Sequence, residues 1–282
     1  MKNPQDSSVV LMGIVKDIES TIFEDLNRFS TALGIFKEVF YFLVESESSD
    51  RSVETLRRCS EEFENFRFVS LGTSQDSDLG RTEKMAIARN RYIEELNQNQ
   101  LYSDVDFVIV SDFNNLNKLL DKEVILSCWE NTEWDVCAAN QSGHYYDVWA
   151  LRHDLWSPND CWLQMQFLID NGVRTDRAYA ASVNSRMIKI PKTNNWIEVE
   201  SAFGGFAIYK GGVLNFRRYK GLNENNKRIC EHVPMHSQLR SEGKRIFINP
   251  RLINLKYTDH SNSALIRRRV LRRIKHTLKE FM

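Results

Sequence analysis

The chain has 282 residues, with 38 Lys+Arg balanced by 38 Asp+Glu, 42% hydrophobic and 27% charged residues. It is too apolar to be a disordered chain, and too evenly charged to coat nucleic acid, whose binding domains are strongly basic. No apolar run approaches the roughly 18 residues of a membrane span. Met1 to Ser8 lacks the basic-then-apolar order of a secretion signal, and the five cysteines (Cys59, Cys128, Cys137, Cys161, Cys230) form no CxxC pair. Neither a zinc ribbon nor a disulfide framework is expected, and a reducing cytoplasm is the expected location.

Strand and helix signals alternate through the first half. Val9 to Val15 (VVLMGIV) is a continuous apolar run, which marks a strand buried on both faces. Residues 17–33 predict a helix, with Ile18, Ile22, Leu26 and Phe29 on one side. A second buried strand is expected over 39–44 (VFYFLV), a helix over 52–63, a short strand over 66–70 and a helix over 82–96. The strand at 106–110 (DFVIV) runs into Ser111-Asp112-Phe113-Asn114-Asn115. This alternation implies an α/β fold with a mostly parallel sheet flanked by helices, whose ligands bind beyond the carboxyl ends of the strands. No GxGxxG or P-loop follows any strand, which disfavours a dinucleotide fold or a P-loop ATPase.

The second half is richer in loops and aromatics. Five of the six tryptophans fall between residues 134 and 196, and four of the twelve glycines fall within 204–212. The sheet is expected to continue through these irregular loops rather than give way to a separate domain. Residues 263–282 carry seven Lys/Arg and one acid, a local +6 against −6 for the rest. Ile266, Val270, Ile274 and Leu278 recur every four residues there. The stretch predicts a basic amphipathic helix, suited either to an anionic membrane surface or to packing on the acidic body.

Chemistry is concentrated where strands end. A strand closing in Asp112-Phe-Asn114 can present hard oxygen ligands to Mg²⁺ or Mn²⁺, and such a cation bridges a diphosphate. Before it come Glu45-Ser-Glu47-Ser-Ser-Asp50, after the second strand, and Arg81 to Asn90, which opens a helix and includes Arg89. Taken in order, these segments resemble the nucleotide-diphospho-sugar glycosyltransferases of the GT-A fold. Tyr145-Tyr146-Asp147-Val-Trp149, Ser201-Ala-Phe-Gly204-Gly205-Phe and Cys230-Glu231-His232 look like segments of the fungal capsule-associated and Golgi α-mannosyltransferase families.

The resemblance implies that residues 1–262 form one domain, with a nucleotide-binding half (1–120) and an acceptor-binding half (121–262), followed by the basic helix. It also implies that Glu45 accepts a hydrogen bond from the donor's base, that Asp50 orders its turn, and that Arg81 and Arg89 face the nucleotide or its diphosphate. Asp112 and Asn114 would hold the metal, completed by the late His260. An amide at the second position of the motif lacks a carboxylate's charge, so the cation is expected to bind weakly or to be replaced by arginines.

On the acceptor side, Gly204 and Gly205 would allow close backbone approach to a sugar, or simply form a turn. Tyr146 and Trp149 would stack on pyranose faces or, as aromatics at this density more often do, belong to the core, and Asp147 among them needs a partner. Glu231 is the leading candidate for the catalytic carboxylate, with Asp147 next. A rival soft-metal site of Cys230, His232 and His236 is disfavoured, because Pro234 is expected to break the helical register between the histidines. The expected function is transfer of a sugar from a GDP- or UDP-linked donor to a saccharide or glycolipid acceptor. The alternatives are a nucleotide-sugar-binding pseudoenzyme, motivated by Asn114, and nucleic-acid binding through the Arg-rich tail, which the acidic body opposes. The location expected is cytoplasmic, with peripheral membrane attachment through the tail.

Overall fold

The computed structural model describes residues 1–74 and 78–257. The sheet elements are β1 (Ser8–Val15), β2 (Glu38–Glu45), β3 (Phe66–Ser70), β4 (Phe107–Ser111), β5 (Val136–Gln141), β6 (Ile197–Val199), β7 (Phe206–Lys210) and β8 (Ile246–Leu255). The helices are α1 (Ile22–Leu33), α2 (Ser52–Glu62), α3 (Arg81–Gln98), α4 (Lys122–Leu126), α5 (Cys161–Asp170), α6 (Thr175–Ser182) and α7 (His232–Ser241). His260 and the basic stretch 263–282 lie outside the described residues. No helix among the described residues is long and apolar enough to cross a membrane.

The first half forms as its hydrophobic pattern dictates. β1 pairs in parallel with β2 and β4, and β2 with β3. Alternate side chains of β1 enter opposite cores: Val10 and Met12 pack on the face that α3 covers, Val9 and Leu11 on the face of α1 and α2. A strand with helices on both sides has no wet face, so it reads as a continuous apolar run. The expected helix from residue 17 begins only at Ile22. Asp17 adopts a left-handed φ of 50° and joins the turn instead, where its Oδ1 accepts the Ser49 amide at 2.7 Å.

The second half continues the same sheet in the order β3-β2-β1-β4-β7-β5-β8-β6. β7 lies antiparallel between β4 and β5, and β6 closes the far edge antiparallel to β8. Inserting β7 brings the turn before it, at Gly204–Gly205, beside the carboxyl end of β4. That junction is where the candidate site forms.

Candidate functional site

A cavity of about 840 Å³ opens beyond the carboxyl end of β4, with Arg89, Asp112, Asp147 and Glu231 in its wall. Each reaches it by a different local cause. Asp112 follows the last residue of β4, and its amide donates to the Gly205 carbonyl at 2.9 Å. Arg89 lies on the buried side of α3. That helix is fixed by paired bonds from Asn90 to the backbone of Tyr219 (2.8 and 3.0 Å) and by Thr82 Oγ1 donating to Gly221. Glu231 immediately precedes α7, and Asp147 is held by the Gly204 amide at 2.9 Å.

Arg89 is the hub. Its Nε donates to Glu231 Oε1 at 2.8 Å, an Nη lies 3.5 Å from Asp112 Oδ1, and the guanidinium sits between the rings of Phe203 and Tyr219. Both members of the Arg89–Glu231 pair are at least 97% buried. A guanidinium so enclosed must be paired, and removing either partner would strand a buried charge. One guanidinium facing three carboxylates leaves the cluster short of positive charge. Asp112 shows the result: withdrawal from water pushes its carboxyl up to about 6, with Arg89 pulling down and Asp147 and Glu231 pushing up. Burial also raises Asp147, against the pull of the Gly204 and Ala150 amides. His232, stacked on Phe203 with ring centroids 4.1 Å apart, is driven well below its ordinary value by burial and by Arg89. It is therefore neutral, and neither ring nitrogen has a hydrogen-bond partner among the described residues.

A second cavity of about 590 Å³ adjoins the first, sharing Arg81, Met85 and Asp112. Its lining includes Lys16, Lys84, Glu47 and Asn114. Lys84 is committed to Glu47 at 2.9 Å. Arg81, Lys227 and Arg228 line the first cavity and make no ion pair with a described residue. Cations that lack an internal partner at the mouth of a cleft suit an anionic ligand.

Several expected roles change. Glu45 is buried and lines neither cavity; its carboxylate accepts the Ser48 amide at 3.0 Å and the Ser70 hydroxyl, so its oxygens serve the turn rather than a base. Glu47, two residues on, faces the cavity. Asp50 accepts the amides of Ser52 and Glu19 within the turn. Arg89, expected to face a diphosphate, is occupied by carboxylates. Gly204 and Gly205 line neither of these two cavities: they form the turn, with φ of 69° and 84°, and approach the chain itself. A Cβ on Gly205 would lie 2.7 Å from the Tyr146 hydroxyl, and one on Gly204 would lie 2.6 Å from the Ala139 carbonyl. Tyr146 and Trp149 both line the first cavity, where the Trp149 indole is fixed by donating to Asp160 at 2.9 Å.

The metal reading fares poorly among the described residues. No group of three His, Cys, Asp or Glu side chains is placed to hold an ion. Asn114 takes a left-handed φ of 67° and its amide oxygen accepts from Thr21 at 3.4 Å. Asp112 is left as the one charged ligand of the motif, and Arg89 is already beside it. Among the described residues, one carboxylate holds Mg²⁺ or Mn²⁺ only together with substrate phosphates, and the third expected ligand, His260, lies outside them. The two histidines of α7 do share a face, contrary to expectation, because Pro234 falls in the first turn, where a missing amide hydrogen costs nothing. Yet His236 is taken by Ser201 and Tyr209, both at 2.9 Å.

Sequence reasoning missed the supports of this site. Asn117 donates to the carbonyls of Asp112 and Gly205, and its own oxygen accepts from Asn254, which also donates to Gly204. The run Asn114-Asn115-Leu116-Asn117 was a visible turn signal, but its distant partner was not. Lys227 and Arg228 lay in a polar loop with no local mark. The apolar helix α5, which walls the first cavity, was legible only as an excess of aromatic residues.

No protein-family model and no curated protein matches the chain. Among solved structures, the chain is similar to the mannosyltransferase PcManGT from Pyrobaculum calidifontis, in complex with GDP-Man and Mn²⁺. The TM-score is 0.50 at 10% identity, over 95% of this chain and 63% of that one. Weaker likenesses are to Staphylococcus aureus TarS 1–349 (TM-score 0.43, 11% identity, 86% of this chain and 57% of that) and to glucosyl-3-phosphoglycerate synthase from Mycobacterium tuberculosis (0.41, 10%, 89% and 69%). The chain thus spans less than two thirds of the mannosyltransferase it matches. At this identity the likeness is one of fold, the mixed α/β GT-A architecture.

Proposed function

We propose that the chain is a glycosyltransferase that moves a sugar from a nucleoside-diphosphate donor to a hydroxyl-bearing saccharide acceptor. The observation that carries this is the Arg89–Asp112–Glu231 cluster, which lines a cavity continuous with a second, lysine-lined one. The smaller cavity receives the nucleotide and the larger receives the acceptor. Asp112, shared by both, marks where donor sugar and acceptor meet. Arg81, shared by both cavities, faces the diphosphate as its leaving-group charge develops, and Lys227 and Arg228 reach it from the larger cavity. Glu231 is held through Oε1, leaving Oε2 to take the acceptor hydroxyl proton while the acceptor oxygen attacks the anomeric carbon and the sugar–phosphate bond breaks. Tyr146 and Trp149 contact the sugar faces.

The donor's identity, the fungal mannosyltransferase likeness of the Tyr145–Trp149 segment and membrane attachment through residues 263–282 rest on sequence alone, and belong to this proposal. The experiment is a turnover and thermal-shift panel of UDP-, GDP- and CMP-sugars, with and without Mn²⁺ and with EDTA, on the wild type and Glu231→Gln. A matched donor raises the melting temperature in both proteins. Glu231→Gln is expected to lose about 10²–10⁴-fold in turnover with little change in donor binding. Donor binding without any turnover in the wild type would favour the second reading, a nucleotide-sugar-binding pseudoenzyme, for which the Asn114–Thr21 bond speaks. No binding of any donor overturns both.

A further inference from the structure

Besides Asp112, Asp147 and Glu231, the larger cavity is lined by an apolar set, Trp149, Trp162, Leu163, Phe167, Tyr179 and Met187, with Gln166 and Asp170 of α5 among them. Three of the apolar residues come from α5, whose sequence CWLQMQFLID has seven apolar residues in ten, and of which only Cys161 is buried. Phe167 remains 64% exposed and Trp162 42%. A helix this apolar normally lies inside a core, and here it is held at the surface instead. Asp160 anchors its start, accepting the Trp162 and Leu163 amides at 2.9 and 3.1 Å while its other oxygen takes Trp149 Nε1 and Arg152. The helix is thus tied to the same tryptophan that borders the carboxylates.

We propose that the acceptor is amphiphilic, a sugar headgroup bearing a hydrocarbon aglycone. The headgroup lies at Asp147 and Glu231, and the alkyl or prenyl chain runs along α5 past Leu163 and Phe167. This deepens the glycosyltransferase reading and rests on it. Continuity between the apolar wall and the carboxylates within one cavity is what selects this occupant. A free oligosaccharide would leave the wall of α5 wet, whereas a hydrocarbon chain removes it from water.

The probes are methyl and octyl β-D-glucopyranoside, the latter below its micelle concentration, titrated against full-length protein. Tryptophan fluorescence reports binding, since Trp149 and Trp162 line the cavity. Burying two or three methylenes strengthens binding about 30-fold, so the octyl glycoside is expected to bind at least that much more tightly than the methyl. Phe167→Ser and Leu163→Ser should each weaken octyl binding about five-fold or more without altering the melting temperature. Leu155→Ser, which removes a 93% exposed apolar side chain outside the cavity, should not weaken it. Equal binding of the two glycosides overturns the proposal. So does octyl binding that Leu155→Ser weakens as much as Phe167→Ser, which would mark α5 as a general membrane-facing surface. Nucleotide-sugar turnover on the same samples separates the two failures. Normal turnover without octyl preference removes the aglycone channel alone, whereas octyl binding without nucleotide binding removes the transferase reading beneath it.

Discussion

Asp112 is held where a carboxylate is uncomfortable, 31% exposed but gathered with two other acids around one guanidinium, and its carboxyl is pushed up to about 6. A carboxyl raised in the folded state binds its proton more tightly than in the unfolded chain. It therefore costs stability above that value and ceases to do so as pH falls below the unfolded one. Asp112→Asn imitates the protonated form, so its melting temperature should exceed the wild type's at pH 8 and converge with it by about pH 4. Turnover should be lost over the whole range. A variant less stable than the wild type at pH 8 would show that the charge supports the fold instead. Asp112 stood out in the sequence as the polar end of an apolar strand and Asp147 as an acid among aromatics, whereas Arg89 and Glu231 were singled out by the resemblance. Their pairing was not legible, since Arg89 and Glu231 are 142 positions apart and nothing local marks a salt bridge across that span. For the same reason Glu45 and Arg89 were assigned to a ligand when their actual partners are other parts of the chain. Orphaned His232 carried no sequence signal beyond being a histidine.

The strands of the first half were legible almost to the residue. β1, β2 and β4 match the apolar runs, because a strand covered on both faces has no polar alternation to blur it, and β3, an edge strand with only Phe66 buried, matches its short Phe-Arg-Phe-Val-Ser stretch. β7 was not placed, since its neighbours come from residues 107–111 and 136–138 and its position depends on the turn before it. That turn gives a sharp test. Gly205→Ala meets both a left-handed φ of 84° and the Tyr146 hydroxyl at 2.7 Å, whereas Gly212→Ala has a φ of 79° and open space. The second should cost about 1 kcal/mol from backbone strain alone, and the first about 2–4 kcal/mol, read from urea denaturation midpoints. Equal costs would mean that Tyr146 moves aside freely, and its position would not depend on the turn. The same turn explains why two adjacent glycines resemble a ligand contact in sequence: close approach is needed, but to the chain's own backbone.

At the scale of the whole molecule, the two halves share one sheet, and Asn117 after β4 bonds Asn254 in β8. Unfolding should accordingly be a single transition. All six tryptophans lie between residues 129 and 196, so their fluorescence reports the second half, while helical circular dichroism draws heavily on α1, α2 and α3 of the first. Urea curves from the two signals are expected to superimpose, and separated midpoints would mean that the halves fold independently. The continuity was anticipated from composition, but the strand order was not, because order is a property of tertiary pairing. That order also sets a timetable for the nascent chain. β1 to β4 leave the ribosome by residue 111, yet the strand that covers the free edge of β4 begins at residue 206, about 95 positions later. At ordinary translation rates the gap lasts on the order of 5–20 s. Throughout it, Phe107-Val-Ile-Val-Ser111 presents an open, uncharged edge of the kind that pairs with stray strands from other chains. A cell making this protein would thus need a chaperone most during the synthesis of the aromatic-rich loops, when the first half is already shaped and its central strand still waits for a neighbour.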